Sequence, residues 1–472
     1  MPEQPGSRIA VVGGGIAGLA ALHELERLAK RSGHRADIDL YEAADRLGGT
    51  IRTVRDGPYL LDVGPDSLLT SKPWAIELCE ELGLESELIA TDETHRGVAL
   101  YSRGKLRRLR FGSDAPPMKM VLSFLTGGII SWPGLLRMAG DFVIPQRAAA
   151  GDESIADFFR RRLGREAVER LIDPFMAGIY GGDANRLSLP GTFPRFVEMQ
   201  ERHRSLLVAI MKRRAEERRQ GPLFKSLRSG LGQLIEALTG SLEMTTSYLG
   251  TAVSSVRRVG ERYVLDTAAG ARGDYSAVIL AVPAHVAASL TSEMAPDLSA
   301  GLGEIRYVSS ATVFLAFRLA ELKERPRGHG FLIPLCEGRR INGATWVSNK
   351  YPGRGPEDAF LVRCFVGGDR TPVELGRDDE GLARTCVEEL REIAGIRARP
   401  IFTRVFRWER SNPQYDVGHA GRLRAIENAA SRLPGFWLAG AAYRGIGIPD
   451  CVRDGREAGR RAFEFWRQFA AG

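Results

Sequence analysis

Cysteine is scarce in this chain, and its few residues are scattered. No C-x-x-C pair occurs among the five, which stand at Cys79, Cys336, Cys364, Cys386 and Cys451. Zinc sites and disulfide-framed secreted domains need closely spaced cysteines, so we expect no metal site and a reducing compartment. The first residues also lack the apolar run of a secretory signal, which makes a cytoplasmic protein the expectation.

Long uncharged hydrophobic runs are rare as well. Residues 120–136 (MVLSFLTGGIISWPGLL) carry no charge, but Gly127, Gly128 and Pro133 interrupt them. A membrane-spanning helix needs about 20 apolar residues, so no span is expected. A buried helix pair that lines an apolar cavity is the favoured interpretation, and shallow contact with a membrane surface is the alternative.

The excess of positive charge is small for the length of the chain. The 472 residues include 66 Lys and Arg against 58 Asp and Glu, a net charge of +8. This suits an anionic substrate, an anionic cofactor or a membrane surface without demanding nucleic acid. The basic run at 212–219 ends a predicted helix over 195–219 and is mixed with Glu216 and Glu217, so a solvated helix face is favoured. No nucleic-acid partner is expected.

Glycines are concentrated near the N-terminus. Residues 8–12 predict a buried strand, and Gly13, Gly15 and Gly18 follow in the pattern G-x-G-x-x-G before a periodic helix. These glycines allow a tight turn and a close approach of the backbone to a pyrophosphate, which the helix N-terminus stabilises. A second strand ends in Glu42, a carboxylate placed to accept hydrogen bonds from a ribose. The segment predicts an adenine-dinucleotide site.

An R-x-G-G tail follows the acid. Arg46 can reach back over the diphosphate, and Gly48 and Gly49 permit a second close backbone pass. The tail resembles the extended fingerprint of flavin-dependent enzymes of the amine-oxidase superfamily. No second G-x-G-x-x-G occurs in the sequence, so a domain for NAD(P)H is not supported.

The rest of the chain predicts an α/β protein of three domains. Apolar strands at 276–283 and 436–440 return to the first sheet, so a Rossmann-like dinucleotide-binding domain is discontinuous, over residues 1–73, 223–290 and 404–472. Residues 74–222 are predicted to be mainly helical and to line the active-site cavity. Residues 291–403 alternate strands with a helix over 379–394, which is typical of an α+β substrate-binding domain.

Two further segments allow more than one interpretation. In the loop 441–450, Gly445 and Gly447 precede a helix whose N-terminus would stabilise negative charge on a reduced flavin. Considered by itself, that loop fits a helix-capping turn equally well. The segment 174–182 fits a packing bend and the floor beneath a large flat ligand equally well.

Seven segments spread over nearly the whole chain are similar to the porphyrinogen oxidases of haem biosynthesis, within the flavin amine-oxidase superfamily. They are GGGIAGLAA, YEAADRLGGTIRT, GPDSLLTSKP, DPFMAGIYGGDANRLSLPGTFP, ERHRSLL, FRWERSNPQYDVGH and GAAYRGIGIPDCV. The GPDS stretch with Lys72 resembles the compact, soluble bacterial branch. Membrane-bound members often carry arginine near a substrate propionate, whereas lysine is a more flexible point charge.

The resemblance implies non-covalent FAD and a porphyrinogen clamped between the helical and substrate domains. It implies substrate contacts at Lys72 for a propionate, at Trp346 for the macrocycle and at Gly178 in the cavity wall. The implied cofactor contacts are Gly13, Gly14, Gly15, Ile16, Ala17, Gly18, Glu42, Ala43, Arg46, Gly49, Gly64, Pro65, Asp66, Ser67, Val253, Trp408, Gly447, Ile448 and Pro449. Peripheral membrane contact and a homodimer stay open.

The expected reaction needs few catalytic side chains. Oxidising a porphyrinogen to the porphyrin removes six electrons, so a two-electron flavin would cycle three times with O2 as acceptor. We expect hydride transfer from a bridge carbon to flavin N5, and no catalytic side chain is identified. His203, His285, His329 and His419 are expected to be structural, with protons leaving through solvent or imine–enamine exchange.

The substrate and the class of protein have alternatives. The sequence does not decide between protoporphyrinogen IX and coproporphyrinogen III, although Lys72 and the positive net charge favour accepting the second, a tetracarboxylate. Another flavin amine oxidase or a carotenoid desaturase is the nearest alternative. A flavin-binding redox sensor without turnover is the alternative from a different class.

Overall fold

Two seven-stranded sheets organise the chain. The structure is a computed structural model that describes residues 8–109, 127–145, 151–209 and 221–470. The strands are β1 (Arg8–Val12), β2 (Asp37–Tyr41), β3 (Thr53–Asp56), β4 (Tyr59–Asp62), β5 (Leu68–Leu69), β6 (Leu88–Ala90), β7 (Val98–Ser102), β8 (Lys105–Leu109), β9 (Phe224–Leu227), β10 (Thr245–Tyr248), β11 (Val253–Val259), β12 (Arg262–Thr267), β13 (Gly270–Leu280), β14 (Tyr307–Arg318), β15 (Gly330–Leu332), β16 (Gly343–Trp346), β17 (Ala359–Gly367), β18 (Phe402–Pro413) and β19 (Phe436–Leu438).

Helices cover these sheets and fill a third region between 127 and 209. They are α1 (Ile16–Arg31), α2 (Trp74–Glu81), α3 (Trp132–Ala139), α4 (Ile155–Leu163), α5 (Arg165–Ala167), α6 (Asp173–Tyr180), α7 (Leu189–Thr192), α8 (Pro194–Arg202), α9 (Gly232–Gly240), α10 (Ala284–Thr291), α11 (Pro296–Gly303), α12 (Val347–Lys350), α13 (Asp379–Ala394), α14 (His419–Ala430) and α15 (Ile448–Ala470). A π-helical segment, Val168–Ile172, joins α5 to α6.

The first sheet has the order β10-β2-β1-β13-β12-β11, with β19 also paired to β13. Its central strand β1 runs parallel to both β2 and β13. The apolar residues of β1 are buried because helices cover both faces of the sheet, and Leu19, Leu22 and Leu25 of α1 have no exposed surface. The strands come from separated parts of the chain, and the predicted α/β class with a discontinuous Rossmann-like sheet is confirmed.

The second sheet has the order β18-β14-β17-β16-β15-β7-β8. Helix α13 packs on one face, where Val313 and Val362 meet Leu382 and Leu390 in a buried cluster. The opposite face carries Phe314 and turns toward the hairpin β3–β4 of the nucleotide-binding region. Alternate residues of each strand therefore face either α13 or the hairpin.

The helical prediction for residues 74–222 is wrong between 88 and 109. There the chain forms β6, β7 and β8, and the last two join the second sheet beside β15. The turn between them has Arg103 at φ 53° and Gly104 at φ 74°, the geometry of a two-residue hairpin. Residues 404–413, assigned to the nucleotide-binding domain, likewise pair with β14 in the second sheet. The domain boundaries stay a prediction.

The predicted helix over 195–219 is correct at residues 195–202, but it is interrupted at 203–205 before residues 206–209 are helical again. Helix α8 ends at Arg202, because His203 adopts an extended backbone with φ −133° and ψ 135°. The basic run at 212–219 lies outside the described residues.

The apolar stretch 120–136 is described from residue 127 onward. Ile129 and Ile130 are buried, but the side chains of Trp132 and Leu136 are 71% and 75% exposed. The interpretation as a buried helix pair therefore fails over α3, which is a short helix with an exposed apolar face. No helix in the described ranges is long and apolar enough to cross a membrane.

Candidate active site

The glycine turn before α1 has the geometry of a phosphate cradle. Gly13 has φ +104°, and a Cβ there would lie 2.5 Å from the carbonyl oxygen of Ala281. A Cβ at Gly18 would lie 2.0 Å from the carbonyl oxygen of Gly13, so helix and turn touch through their backbones. Gly15 is different, because a Cβ there would meet nothing within 4 Å. The space beside Gly15 is free for a ligand.

The N-terminus of α1 is available to bind that ligand. No side chain caps it, and its first turn, which contains the predicted contacts Ile16 and Ala17, has no acidic residue. The first N–H groups of a helix lack intrahelical partners and favour anions. These residues fit a diphosphate.

Glu42 lies directly after β2, as predicted, beside the cradle. Its carboxylate accepts hydrogen bonds from the backbone N–H groups of Gly14 at 2.7 Å and Ala44 at 2.8 Å. Backbone hydrogen bonds join Glu42 to Tyr248 and Thr251, just before the half-buried Val253 at the start of β11. The acid and Val253 thus lie at the same end of the sheet, where a ribose and an adenine would sit.

The R-x-G-G tail folds back onto the cradle. The N–H of Gly48 donates to the carbonyl oxygen of Gly14 at 2.8 Å, and a Cβ at Gly49 would lie 3.3 Å from Cα of Gly15. Arg46 donates to the carbonyl oxygen of Gly49 at 2.8 Å. Burial lowers the pKa of Arg46, and the nearby Arg52 lowers it further. Two guanidinium groups therefore lie close together at the predicted diphosphate position, and the exposed Ala43 lies at the start of this loop.

The second sheet holds the predicted flavin loop at 64–67. Trp408 donates from Nε1 to the carbonyl oxygen of Val63 at 3.1 Å. Arg363 donates to the carbonyl oxygen of Gly64 at 2.6 Å. Past Pro65, Lys350 contacts both carboxylate oxygens of Asp66 at 2.8 and 2.9 Å, while the hydroxyls of Ser67 and Tyr351 lie 2.9 Å apart. This loop is therefore anchored both to the second sheet and to the C-terminal end of α12.

The glycine-containing loop at 441–449 is braced by a buried tyrosine. The hydroxyl of Tyr415 donates to the carbonyl oxygen of Ala441 at 2.7 Å and accepts from the N–H of Gly445 at 2.8 Å. Burial raises the pKa of Tyr415 well above its ordinary value, so the hydroxyl keeps its proton. Helix α15 begins at Ile448, directly after Gly447 and together with the buried Pro449. The predicted helix start at this loop is confirmed.

Lys72 is not a free cation. Its Nζ donates to Oδ2 of Asp450, in the first turn of α15, at 2.5 Å. The Lys72 side chain is 40% exposed and that of Asp450 is 6% exposed. The expected contact of Lys72 with a propionate stays a prediction, because an ammonium has three donors and its exposed side can reach a ligand.

Gly178 lies on α6 with an exposed backbone, next to the second sheet. A Cβ there would lie 3.2 Å from Cδ2 of Leu332 on β15. The neighbouring Ile179 is 51% exposed, which leaves an apolar surface between α6 and the sheet. A π-helical segment precedes α6, as is frequent near functional sites. The role of Gly178 in the cavity wall stays a prediction.

Trp346 lies on the other side of the sheet from this surface. The side chain is 1% exposed and packs between Phe331 and Phe360 in the cluster covered by α13. This corrects the expectation of a contact between Trp346 and a macrocycle, because the ring has no free surface. β17 turns Phe365 instead toward the hairpin side, where it is half-buried.

A cavity of 620 Å³ opens at the edge of the second sheet beside Trp408. Residues of β14, of β18 and of the loop after β17 line it, among them Tyr307, Ser310 and Arg410. Arg410 has φ 40°, an uncommon value for a residue with a side chain, at an irregularity in the pairing of β18 with β14. This cavity brings Trp408 next to open space.

The described histidines are suited to structural roles. Burial lowers the pKa of His285, His329 and His419, so each is neutral at pH 7. His329 contacts the carbonyl oxygen of Asp92 at 2.8 Å through Nε2. His419 contacts the carbonyl oxygen of Tyr443 at 3.1 Å through Nε2 and stacks on Tyr415. These contacts engage His329 and His419 with other groups of the protein.

Comparison with known proteins identifies the family to which the chain belongs. The family described as flavin-containing amine oxidoreductase matches residues 16–462. The chain therefore belongs to this family, whose members use a flavin. The crystal structure of UDP-galactopyranose mutase shares the fold, with a TM-score of 0.73 at 16% identity.

More similar relatives carry narrower names. The chain is 36% identical to coproporphyrinogen III oxidase of Bacillus subtilis, over 95% of this chain and 96% of that protein. It is 28% identical to chloroplastic protoporphyrinogen oxidase 1 of Spinacia oleracea, over 98% of this chain and 84% of that protein. A crystal structure described as a candidate protoporphyrinogen oxidase from Exiguobacterium sp. 255-15 superposes with a TM-score of 0.85 at 28% identity, over 97% of this chain and 99% of that one.

Proposed function

We propose that this protein is an FAD-dependent oxidase that converts a porphyrinogen to the porphyrin in haem biosynthesis, with O2 as acceptor. The similarity to the Bacillus subtilis coproporphyrinogen III oxidase over 95% of the chain carries the proposal. The geometry supports it, because a phosphate cradle, a ribose-binding acid and two anchored loops follow one another as an extended dinucleotide requires.

The FAD is held without a covalent bond. The cradle residues and Arg46 bind the diphosphate, Glu42 and Val253 the adenosine, and the loops at 64–67 and 447–449 together with Trp408 the flavin. Cys451 follows the second of these loops, but it is only 5% exposed and burial raises its pKa to about 12. A thiol that stays protonated is a poor nucleophile, which supports non-covalent binding.

The protein's own residues bind and orient the substrate. The flavin supplies the two-electron oxidation, and aromatisation of the macrocycle supplies the driving force. The N-terminus of α15 would stabilise negative charge on a reduced flavin held at the loop 447–449. Because the buried histidines are neutral and engaged with the protein, protons leave through solvent rather than through a histidine base.

Coproporphyrinogen III is the proposed substrate. Its four carboxylates suit a chain with a net charge of +8 and the exposed side of Lys72. Three bacterial relatives that are 36%, 32% and 31% identical carry the name coproporphyrinogen III oxidase, whereas two chloroplastic protoporphyrinogen oxidases are 28% and 27% identical. Gly178 and the apolar surface beside it provide a wall for the macrocycle.

A comparison of substrates tests this function. Purified protein reconstituted with FAD is assayed in air for porphyrin fluorescence and hydrogen peroxide with coproporphyrinogen III, protoporphyrinogen IX and a set of primary amines. The proposal predicts turnover of the porphyrinogens and none of the amines. Peroxide formed from amines alone would support an amine oxidase, and bound FAD without any turnover would support a redox sensor.

We also propose that α3 contacts a membrane surface. Trp132, Leu136, Phe142 and Val143 are between 50% and 75% exposed and lie within twelve residues of one another. Such an exposed apolar patch on a protein surface marks an interaction site, and tryptophan favours the membrane–water interface. Sedimentation with vesicles tests it: the variant Trp132→Ser/Leu136→Ser is expected to lose binding that the wild type shows, and equal recovery of the two would contradict it.

A further inference from the structure

Arg363 is a buried arginine in the middle of β17, beneath the loop at 64–67. Only 6% of the residue is exposed. Its guanidinium carbon lies 5.5 Å from the ring centre of Phe314 and 4.8 Å from that of Phe365. Its Nη2 donates to the carbonyl oxygens of Val63 at 3.2 Å and Gly64 at 2.6 Å. The side chain thus connects the second sheet to the predicted flavin loop.

The hydrogen bonds of this guanidinium are incomplete. Its Nε is buried and has no hydrogen-bond partner in the part of the chain that the structure describes. Within the described ranges the side chain forms no ion pair of its own, although Asp66 is the carboxylate whose charge acts on it most. Buried charges in proteins are normally paired, because removing them from water is unfavourable. Among the described residues Arg363 therefore has no ion-pair partner of its own, and only the more distant charges of Asp66 and Asp62 act on it.

The nearby carboxylate is already taken by another cation. Lys350 occupies both oxygens of Asp66, and the Lys350 side chain is 16% exposed. Burial alone would raise the pKa of Asp66, but Lys350 and Arg363 outweigh it and hold that pKa below its ordinary value. Two cations therefore share one ionised carboxylate, and this cluster of Asp66, Lys350 and Arg363 has one excess positive charge.

A second buried arginine nearby differs in having an ion-pair partner, although its Nη1 also lacks a hydrogen bond within the described residues. Arg354 is 2% exposed and pairs with Asp62 of β4 at 3.1 Å. It also donates to the carbonyl oxygen of Leu227 at 2.9 Å. Both arginines contact the same hairpin region, but only Arg354 forms an ion pair there, and the charge of Asp62 acts on Arg363 from farther away.

We propose that Arg363 is a positioning residue for the flavin reaction, which fixes the carbonyls of Val63 and Gly64 and places an excess positive charge beside the bound flavin. This inference depends on the proposed function, because it requires FAD at the loop 64–67. Positive charge near a flavin stabilises its reduced, negatively charged form and makes the bound flavin a stronger oxidant. The excess charge of the cluster is then balanced when the flavin is reduced.

A purely structural role for Arg363 makes a different prediction. A neutral side chain could hold the two carbonyls without the cost of burying a charge. If attachment of the loop were its whole purpose, loss of the charge would change stability and FAD retention but leave the reduction potential of the bound flavin unaltered. The potential and the affinity for sulfite, an anion whose adduct with flavin is favoured by positive charge, separate the two roles.

The test uses full-length holoprotein without porphyrinogen. Arg363→Met removes the positive charge and Arg363→Lys keeps it. Asp66→Asn removes the negative charge and so increases the excess positive charge of the cluster. We expect Arg363→Met to shift the potential to more negative values and to weaken sulfite binding about tenfold. Arg363→Lys is expected to retain most of the wild-type potential and sulfite affinity. Asp66→Asn is expected to shift both quantities in the opposite direction, so the inference stays testable if the first variant does not fold.

Arg354→Met is the matched control, a buried arginine at the same hairpin whose partner is Asp62. It is expected to lose stability but to keep the wild-type potential. Wild-type potential and sulfite affinity in folded, FAD-loaded Arg363→Met would overturn the inference, as would a shift of the same sign in Asp66→Asn. An excess charge that instead serves a substrate carboxylate would raise the KM for coproporphyrinogen III in Arg363→Met without moving the potential, which also overturns it. Failure of the wild type to bind FAD would refute the proposed function itself.

Discussion

Lys72 and Asp450 form an ion pair that joins the two loops expected to enclose the flavin. The Lys72 ammonium lies 2.5 Å from the Asp450 carboxylate, and the residues are 378 positions apart in the chain. Lys72 follows the loop at 64–67, and Asp450 packs beneath Gly445 and Gly447. The pair therefore fixes the relative position of the two loops while the lysine side chain remains 40% exposed.

Loss of the lysine is expected to destabilise the protein. Lys72→Met leaves the carboxylate of Asp450, which is 6% exposed, with only the longer ion pair to Arg453 at 3.9 Å. We expect the free energy of unfolding to fall by about 1–3 kcal/mol, measured by chemical denaturation of the apoprotein. Lys30→Met is the control, since Lys30 pairs with Glu243 at 3.0 Å on the surface. That variant should change stability by less than about 0.5 kcal/mol, and an equal loss in both variants would contradict the argument.

The phosphate cradle predicts that alanine substitution affects FAD binding differently at two glycines that both have open space beside them. Neither Gly15 nor Gly240 has an atom within 4 Å of an added Cβ. Gly15→Ala places a methyl group where the diphosphate would lie, so FAD binding should weaken about tenfold or more. Gly240→Ala, at the end of α9, should leave binding unchanged. The FAD dissociation constant from flavin fluorescence measures both, and full affinity in Gly15→Ala would rule out this cradle.

A larger side chain at Gly178, in the predicted cavity wall, should hinder substrate binding and leave FAD binding unchanged. Gly178→Val directs a branched side chain at Leu332, and the KM for coproporphyrinogen III should rise roughly tenfold while FAD binding is kept. Gly301→Val is matched, because a Cβ at Gly301 would lie 3.1 Å from Ile426 in a similar helical setting away from the site. Steady-state kinetics of both variants check this. An unchanged KM in Gly178→Val would remove Gly178 from the substrate site.

Stability is expected to fall when the pH drops below 6.5. Burial lowers the pKa of His419 from its ordinary value of 6.5. Below pH 6.5 the unfolded chain then binds a proton that the folded protein does not, so the free energy of unfolding increases with pH across this window. One such group contributes at most about 1.4 kcal/mol per pH unit. Denaturation at several pH values should show a smaller slope in His419→Gln.

The control for this prediction is His34→Gln, at an exposed histidine. It should keep the wild-type slope. The same two variants also test the absence of a histidine base, since both should still allow bound flavin to be reduced by a porphyrinogen in rapid mixing. Loss of flavin reduction in His419→Gln with FAD still bound would contradict it.

Local sequence patterns predict the nucleotide cradle because its contacts are short in sequence. Gly13, Gly15, Gly18 and Glu42 lie within thirty residues, and each has a strand or helix to position it. The same holds for Gly447 and the start of α15. In these places the spacing of glycines and apolar residues carries the information directly.

Contacts between distant segments are not visible in local patterns. The pair of Lys72 with Asp450 and the placement of β7 and β8 beside β15 depend on how the two sheets meet. The contact of Trp346 with a macrocycle is implied by the resemblance alone, and only the assembled sheet shows that this side chain is 1% exposed in the cluster beneath α13. Arg363 could have been found as a charge inside the apolar strand at 359–367, a pattern that favours a buried functional or paired residue.

The most direct measurement of the central claim is anaerobic mixing of the purified, FAD-reconstituted protein with coproporphyrinogen III while the flavin absorbance is followed. The account predicts a yellow protein whose absorbance bleaches on mixing and returns when O2 is admitted, with FAD released intact on denaturation. A protein that takes up no FAD, or a bound flavin that stays oxidised in the presence of porphyrinogen, would contradict it.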